Sequence, residues 1–81
     1  MQVRVRLGAG LSRFAGAPLL SVDLAEGATV DELYERLRDT EPGLGPALRS
    51  ALPVVDGEHV PRDRRLADRD QVALLLPVSG G

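Results

Sequence analysis

TVDELYERLRDTEPG, residues 29–43, is the stretch that most limits what this chain can become. Val30, Leu33 and Leu37 recur at i, i+3 and i+7, the stripe of an amphipathic helix. Thr29, with Glu32 three residues on, forms a capping box, so the helix should begin near Val30. Glu32 and Arg36 make a favourable i,i+4 pair, and Pro42 with Gly43 ends the element. The segments on either side keep a different period. In QVRVRL, residues 2–7, Val3, Val5 and Leu7 alternate with Gln2, Arg4 and Arg6, as in a half-buried strand. One main helix among alternating strands has to bury its stripe on a sheet, which makes the chain α+β.

The remaining segments supply that sheet. LLSVDL, residues 19–24, alternates with Leu20, Val22 and Leu24 on one side. Between it and the first strand, GAGLSRFAGAP reads as a loop with one helical turn around Leu11 to Ala15. LGPALRSAL, residues 44–52, reads as a short second helix, with Pro46 suited to its first turn. PVVDGEHV, residues 53–60, reads as two short strands joined at Asp56-Gly57. PRDRRLADRD is a charged surface stretch anchored by Leu66, and QVALLLP, residues 71–77, is the last strand. The order β-β-α-β-β-β brings the first and last strands together in the middle of a mixed sheet crossed by the helix. About five strands around one helix describe a β-grasp (ubiquitin-like) domain. Its expected extent is residues 1–76, with residues 77–81 as an extended, flexible Gly-Gly tail.

Composition narrows the chemistry. Eighty-one residues fit one domain, whose core is drawn from 14 Leu and 9 Val, with only Phe14 and Tyr34 as aromatics. Interspersed charges summing to −2 argue against a nucleic-acid binder, and no apolar run approaches the length of a membrane span. MQVRVRLGAG lacks the apolar core of a secretory signal, so a cytoplasmic protein is expected. There is no cysteine, hence no thiol nucleophile. Every basic side chain is Arg, hence no ε-amine for a Schiff base or an isopeptide bond. His59 is the one histidine and reads as a surface residue of a strand. No metal site is expected, and the four serines lack partners for a catalytic triad. Gly8-Ala9-Gly10 lacks the strand–helix setting of a phosphate loop, and Glu32, Glu35 and Asp39 read as a solvated helix face. Taken alone, the chain does not read as an enzyme.

The last eight residues, LLLPVSGG, are the exception to this plainness. Alternation puts Val72, Leu74 and Leu76 under the helix and turns Ala73, Leu75 and Pro77 to the opposite face, the face of Arg4 and Arg6. Leu75, with Pro77, Val78 and His59, would make an apolar patch at the root of the tail, suited to docking a partner. Fully extended, residues 77–81 reach about 17 Å, enough to enter another protein's active site. Gly80 and Gly81 have no Cβ, so a narrow channel can close around them. A free carboxylate is unreactive towards nucleophiles, but ATP can convert it to a mixed anhydride from which a nucleophile displaces AMP. The carboxylate of Gly81 is thus the candidate reactive group.

These features resemble the ubiquitin-like sulfur carriers of the MoaD/ThiS family. The resemblance is carried by VRVRLGAGLSRFAG, by GATVDELYERL and by LADRDQVALLLPVSGG, so it spans nearly the whole chain. The proline-containing LLPVSGG is most similar to the small subunits of molybdopterin synthase, the MoaD group. The chain departs from the family in having Arg69 where Gly is frequent in the last turn, Leu75 where Phe is common, and a single Pro77. The resemblance implies that an E1-like adenylating enzyme (MoaB/MoeB/ThiF type) uses ATP and Mg²⁺ to activate Gly81, with no cofactor bound by the carrier itself. A sulfur donor protein then makes the thiocarboxylate. The large subunit, MoaE, receives the tail, and the sulfur passes to precursor Z in molybdenum cofactor biosynthesis. It implies that Gly80 and Gly81 carry the chemistry, that Pro77, Val78 and Ser79 thread the channel, and that Leu75 docks. Two alternatives stay open: a ThiS, CysO-like or tRNA-thiolation carrier, and a ubiquitin-like modifier joined through Gly81 to target lysines.

Overall fold

The computed structural model describes residues 1–77. Strands β1 (Gln2–Leu7), β2 (Leu19–Asp23), β3 (Leu52–Val55), β4 (Glu58–His59) and β5 (Gln71–Leu75) form one sheet in the order β2-β1-β5-β3-β4. β1 and β5 are central and parallel; every other pair is antiparallel. Helices α1 (Ala9–Ala15), α2 (Val30–Thr40) and α3 (Gly45–Leu48), with a 3₁₀ turn at Pro42–Leu44, supply the helical part. This is the β-grasp arrangement.

The core follows from the two periodicities. Val3, Val5 and Leu7 of β1 and Val72 and Leu74 of β5 turn to the helical side and meet Val30, Leu33, Tyr34 and Leu37 of α2. Each such side chain contributes about 1.5–3 kcal/mol when fully buried. Leu66 is buried and joins this core, as its place in a charged stretch suggested.

α2 begins where the capping box puts it. The Thr29 hydroxyl oxygen accepts from the Glu32 amide, and the Thr29 amide donates to Glu32 Oε1, both at 3.3 Å. The next two orphan donors are met from outside the helix. The amides of Val30 and Asp31 donate to the carbonyls of Arg64 and Arg62 at 2.9 and 2.8 Å. Residues 61–66 are therefore fastened to the helix start. Arg62 is not a solvated charge: its guanidinium lies 3.8 Å from the Tyr34 ring centroid and 2.8 Å from Asp31 Oδ1. Sequence could not show this, because the packing partner is twenty-eight residues away on another element.

Other differences are local. The segment read as a loop with one turn is a seven-residue helix, α1, with Leu11 buried. Gly8 leads into it in an extended conformation, and Gly16 closes it at φ 74°, a left-handed value that glycine adopts at little cost. The second helical segment is split between the 3₁₀ turn and the four-residue α3, and the last strand stops at Leu75. Asp56 and Gly57, at φ 53° and 79°, make the tight turn between β3 and β4.

Arg69 sits at φ 70°, where a side chain clashes with its own backbone. Its amide donates to the Gln2 carbonyl at 2.7 Å, and the Gln2 amide donates to Asp68 Oδ1 at 2.7 Å, so this turn fixes the start of β1. Arg69→Gly is expected to raise stability by up to about 1 kcal/mol, because relief of strain outweighs the freedom glycine adds to the unfolded chain. A urea midpoint that falls instead would show that the turn carries no such strain.

Candidate functional site

The helices cover one face of the sheet and leave the other open. On the open face Arg6 lies between Leu19 of β2 and Ala73 of β5. Ala73 faces Val54 of β3, and Val54 faces His59 of β4. One step toward the end of β5, Leu75 pairs with Leu52. Leu52 and Leu75 are 38 and 44 % exposed and make an apolar pair on this face, while Leu19, 49 % exposed, lies beyond Arg6 on β2.

Leu75 is placed by its surroundings. It is the last residue of a central strand, and a Cβ added at Gly8 would come within 3.3 Å of its Cδ2. The bare backbone of Gly8 thus leaves the room that the Leu75 side chain occupies. Leu76 turns the other way and is half-buried against the core. Pro77 is exposed at the end of the described chain. Val78, Ser79, Gly80 and Gly81 lie outside the described residues.

Leu75 and His59 are on the same face but two strands apart, with β3 between them. The apolar neighbour that Leu75 has across the strands is Leu52. Sequence alternation from Pro53 did not reveal Leu52 or Val54 as members of this face, because the register of β3 against β5 is a tertiary property. The one available signal was Leu52 itself, a large apolar residue just before the assigned strand.

Leu75→Asp is expected to weaken partner binding at this face by about 2 kcal/mol or more, roughly thirtyfold, with an unchanged circular dichroism spectrum because Leu75 is exposed. Unaltered affinity for every protein that binds the natural chain would exclude Leu75 from their interfaces.

Among the described residues no group of acidic or histidine side chains is arranged to hold a metal ion. No helix there is long and apolar enough to cross a membrane. The residues that surround the root of the tail can bind and position.

Comparisons with known proteins place the chain in a family. The model of the ThiS family matches residues 5–81. The chain is 30 % identical, over the full length of both proteins, to the molybdopterin synthase sulfur carrier subunit of Chlamydomonas reinhardtii. It is similar in structure to SAMP1 of Haloferax volcanii, with a TM-score of 0.90 and 27 % identity over all of both chains. A putative molybdopterin converting factor subunit 1 from Pyrococcus furiosus gives 0.86 and 26 %, with 96 % of this chain and 99 % of that one covered. A Helicobacter pylori structure, described as the complex of subunits 1 and 2 of molybdopterin-converting factor, shares the fold at 24 % identity and a TM-score of 0.74 over all of both chains.

Proposed function

The chain belongs to the ThiS family of sulfur carriers, and from that membership we propose that it carries sulfur as a thiocarboxylate on Gly81 and delivers it as the small subunit of a molybdopterin synthase. The observation that carries the finer reading is the full-length match to a molybdopterin synthase sulfur carrier subunit.

The chemistry uses little of the carrier. A carboxylate oxygen of Gly81 attacks the α-phosphorus of ATP in the activating enzyme, and pyrophosphate leaves. The terminal sulfur of a persulfide on the donor protein attacks the carbonyl carbon of the acyl-adenylate, and AMP leaves; a thiol of the activating system then attacks the donor's sulfur, breaking the S–S bond to release the thiocarboxylate and leave a disulfide. ATP and Mg²⁺ belong to the activating enzyme, and the sulfur comes from outside a chain that has no cysteine. The large subunit then positions the thiocarboxylate against its acceptor, precursor Z, and the carrier returns as a carboxylate. The β-grasp domain supplies a rigid handle: an open face bearing Leu75 and Leu52 for docking, and a central strand that aims the tail.

One observation supports a second reading. SAMP1, whose name stands for small archaeal modifier protein 1, has the same fold at a TM-score of 0.90. A modifier would end with Gly81 in an amide bond to a lysine of another protein. Such adducts would carry one copy at each site, because this chain offers no lysine for a further copy.

Intact mass separates the two. The protein is incubated with ATP, its host's E1-like enzyme and a sulfur donor. One oxygen replaced by sulfur at Gly81 is the expected result, and transfer to precursor Z in the presence of the large subunit completes the assignment. ATP-dependent adducts on lysines without sulfur gain would establish the modifier instead. An unchanged mass with a competent activating enzyme would overturn both.

A further inference from the structure

β2 is an edge strand, and its outer side is unpaired among the described residues. Which of its groups face outward follows from the ladder. Met1 and Leu24 exchange both hydrogen bonds, each at 2.8 Å, and the Leu7 amide donates to the Pro18 carbonyl at 2.8 Å. Hydrogen-bonded pairs recur every second residue in an antiparallel ladder, so Val3 with Val22 and Val5 with Leu20 are the pairs in between. The amides and carbonyls of Leu19, Ser21 and Asp23 therefore point away from the sheet. The opposite edge, β4, has only two residues.

A groove runs between this edge and α2. One part, of about 300 Å³, lies between Leu20, Ser21 and Val22 on the strand and Arg36, Leu37 and Thr40 on the helix. A second part, of about 270 Å³, continues past Leu24 and Ala28 toward Glu32, Glu35 and Asp39. Its floor is apolar, from half-buried Leu20 and the buried Val22 and Leu37. Its walls are acidic. Asp23, Glu32, Glu35, Asp39 and Glu41 border it, against Arg36 as the one base.

We propose that the outer edge of β2 is a docking site for an extended partner segment whose groove-facing side chains are apolar and basic in turn, and which adds to the sheet as a sixth strand. The outward groups of Ser21 and Asp23 supply the main-chain pairing. A strand turns every second side chain to one face: the set on the helical side brings apolar groups to Leu20 and Val22 and Arg or Lys to the carboxylates, and the other set turns to the open face. The charge pattern disfavours a second copy of this chain, which would bring its own row of carboxylates. This site does not include Leu52 or Leu75, and it holds whether or not Gly81 carries sulfur.

The test uses the full chain, isotope-labelled, and an acetylated peptide of the repeat Val-Thr-Arg-Thr, which presents Val and Arg in turn on one face. The amides of Leu19, Ser21 and Asp23 should shift in the NMR spectrum and become protected from hydrogen exchange. Glu35→Gln with Asp39→Asn should weaken binding at least about tenfold, as should a peptide with Glu in place of Arg. Ser21→Pro should abolish binding. Because the Ser21 amide has no hydrogen-bond partner among the described residues, the variant should stay folded by circular dichroism. The proposal is overturned if the peptide does not bind, or if its shifts fall on Leu52 and Leu75 instead. It is also overturned if the same amides are protected without peptide in a protein of doubled mass, which would seat a second copy there.

Discussion

Removal of Gly81 alone is expected to abolish sulfur gain while leaving the thermal unfolding midpoint where it was. The loss should be complete rather than graded. The acyl-adenylate would then form, if at all, on Gly80, one residue short of the activating enzyme's reacting phosphorus, and misplacement by a fraction of that length already costs about a hundredfold in rate. The unchanged midpoint follows from where the core ends. Its last buried member is Leu74, with Leu76 packed against it, and every strand pairing is complete by Leu75. Intact mass after incubation with the activating system, alongside a melting curve, checks both halves. A deletion variant that still gains sulfur would remove Gly81 from the reaction, and one that melts much earlier would show that the tail supports the domain.

The second large effect concerns the fold. Tyr34 is fully buried, and its hydroxyl donates to the Ala51 carbonyl at 2.8 Å, tying α2 to the chain just before β3. Tyr34→Ala is expected to cost about 3–5 kcal/mol, with more added by the unpaired carbonyl of Ala51. A domain of this length has roughly 4–12 kcal/mol in all, so the variant should be largely unfolded or close to it at room temperature. Tyr34→Phe keeps the ring and the Arg62 stack, and should cost only about 1–2 kcal/mol. Burial raises the Tyr34 hydroxyl from its ordinary value of 10.0 to about 12, with Arg62 opposing the shift. The folded state thus holds this proton more tightly than the unfolded chain does. The corresponding stability is fully present below pH 10 and is lost as pH rises toward 12, at up to about 1.4 kcal/mol per pH unit. Urea unfolding at neutral and alkaline pH should show that loss in the natural protein, and Tyr34→Phe should flatten it. If the alkaline loss is the same in both, it arises elsewhere.

Much of this protein is local in origin and therefore legible. Thr29 and Glu32 mark the start of α2 because a capping box is closed within four residues. Asp56-Gly57 marks a hairpin because the turn needs φ > 0 at both positions. Alternation in β1 and β5 assigns Val5 and Leu74 to the core and Leu75 to the open face, because side chains on a strand change sides at every step. The tail was singled out on chemical grounds: Gly80 and Gly81 lack a Cβ, so a narrow channel can close around them.

What stayed hidden needed two distant segments to meet. Gly8 was read as part of a loop, whereas it is the extended residue that leads into α1 and the clearance for Leu75. Arg62 looked like one charge in a polar run until Tyr34 and Asp31 were found beside it. Leu52 and Leu19 could be placed on the open face, and the carboxylates of α2 on the wall of a groove, only once strand register and helix placement were known. The sequence alone determined the elements and their inward faces, since each rests on spacing along one segment, and it singled out the terminus as a candidate. The tertiary structure decided which surfaces those elements share, because register and packing are set by the whole core and are written in no single stretch of chain.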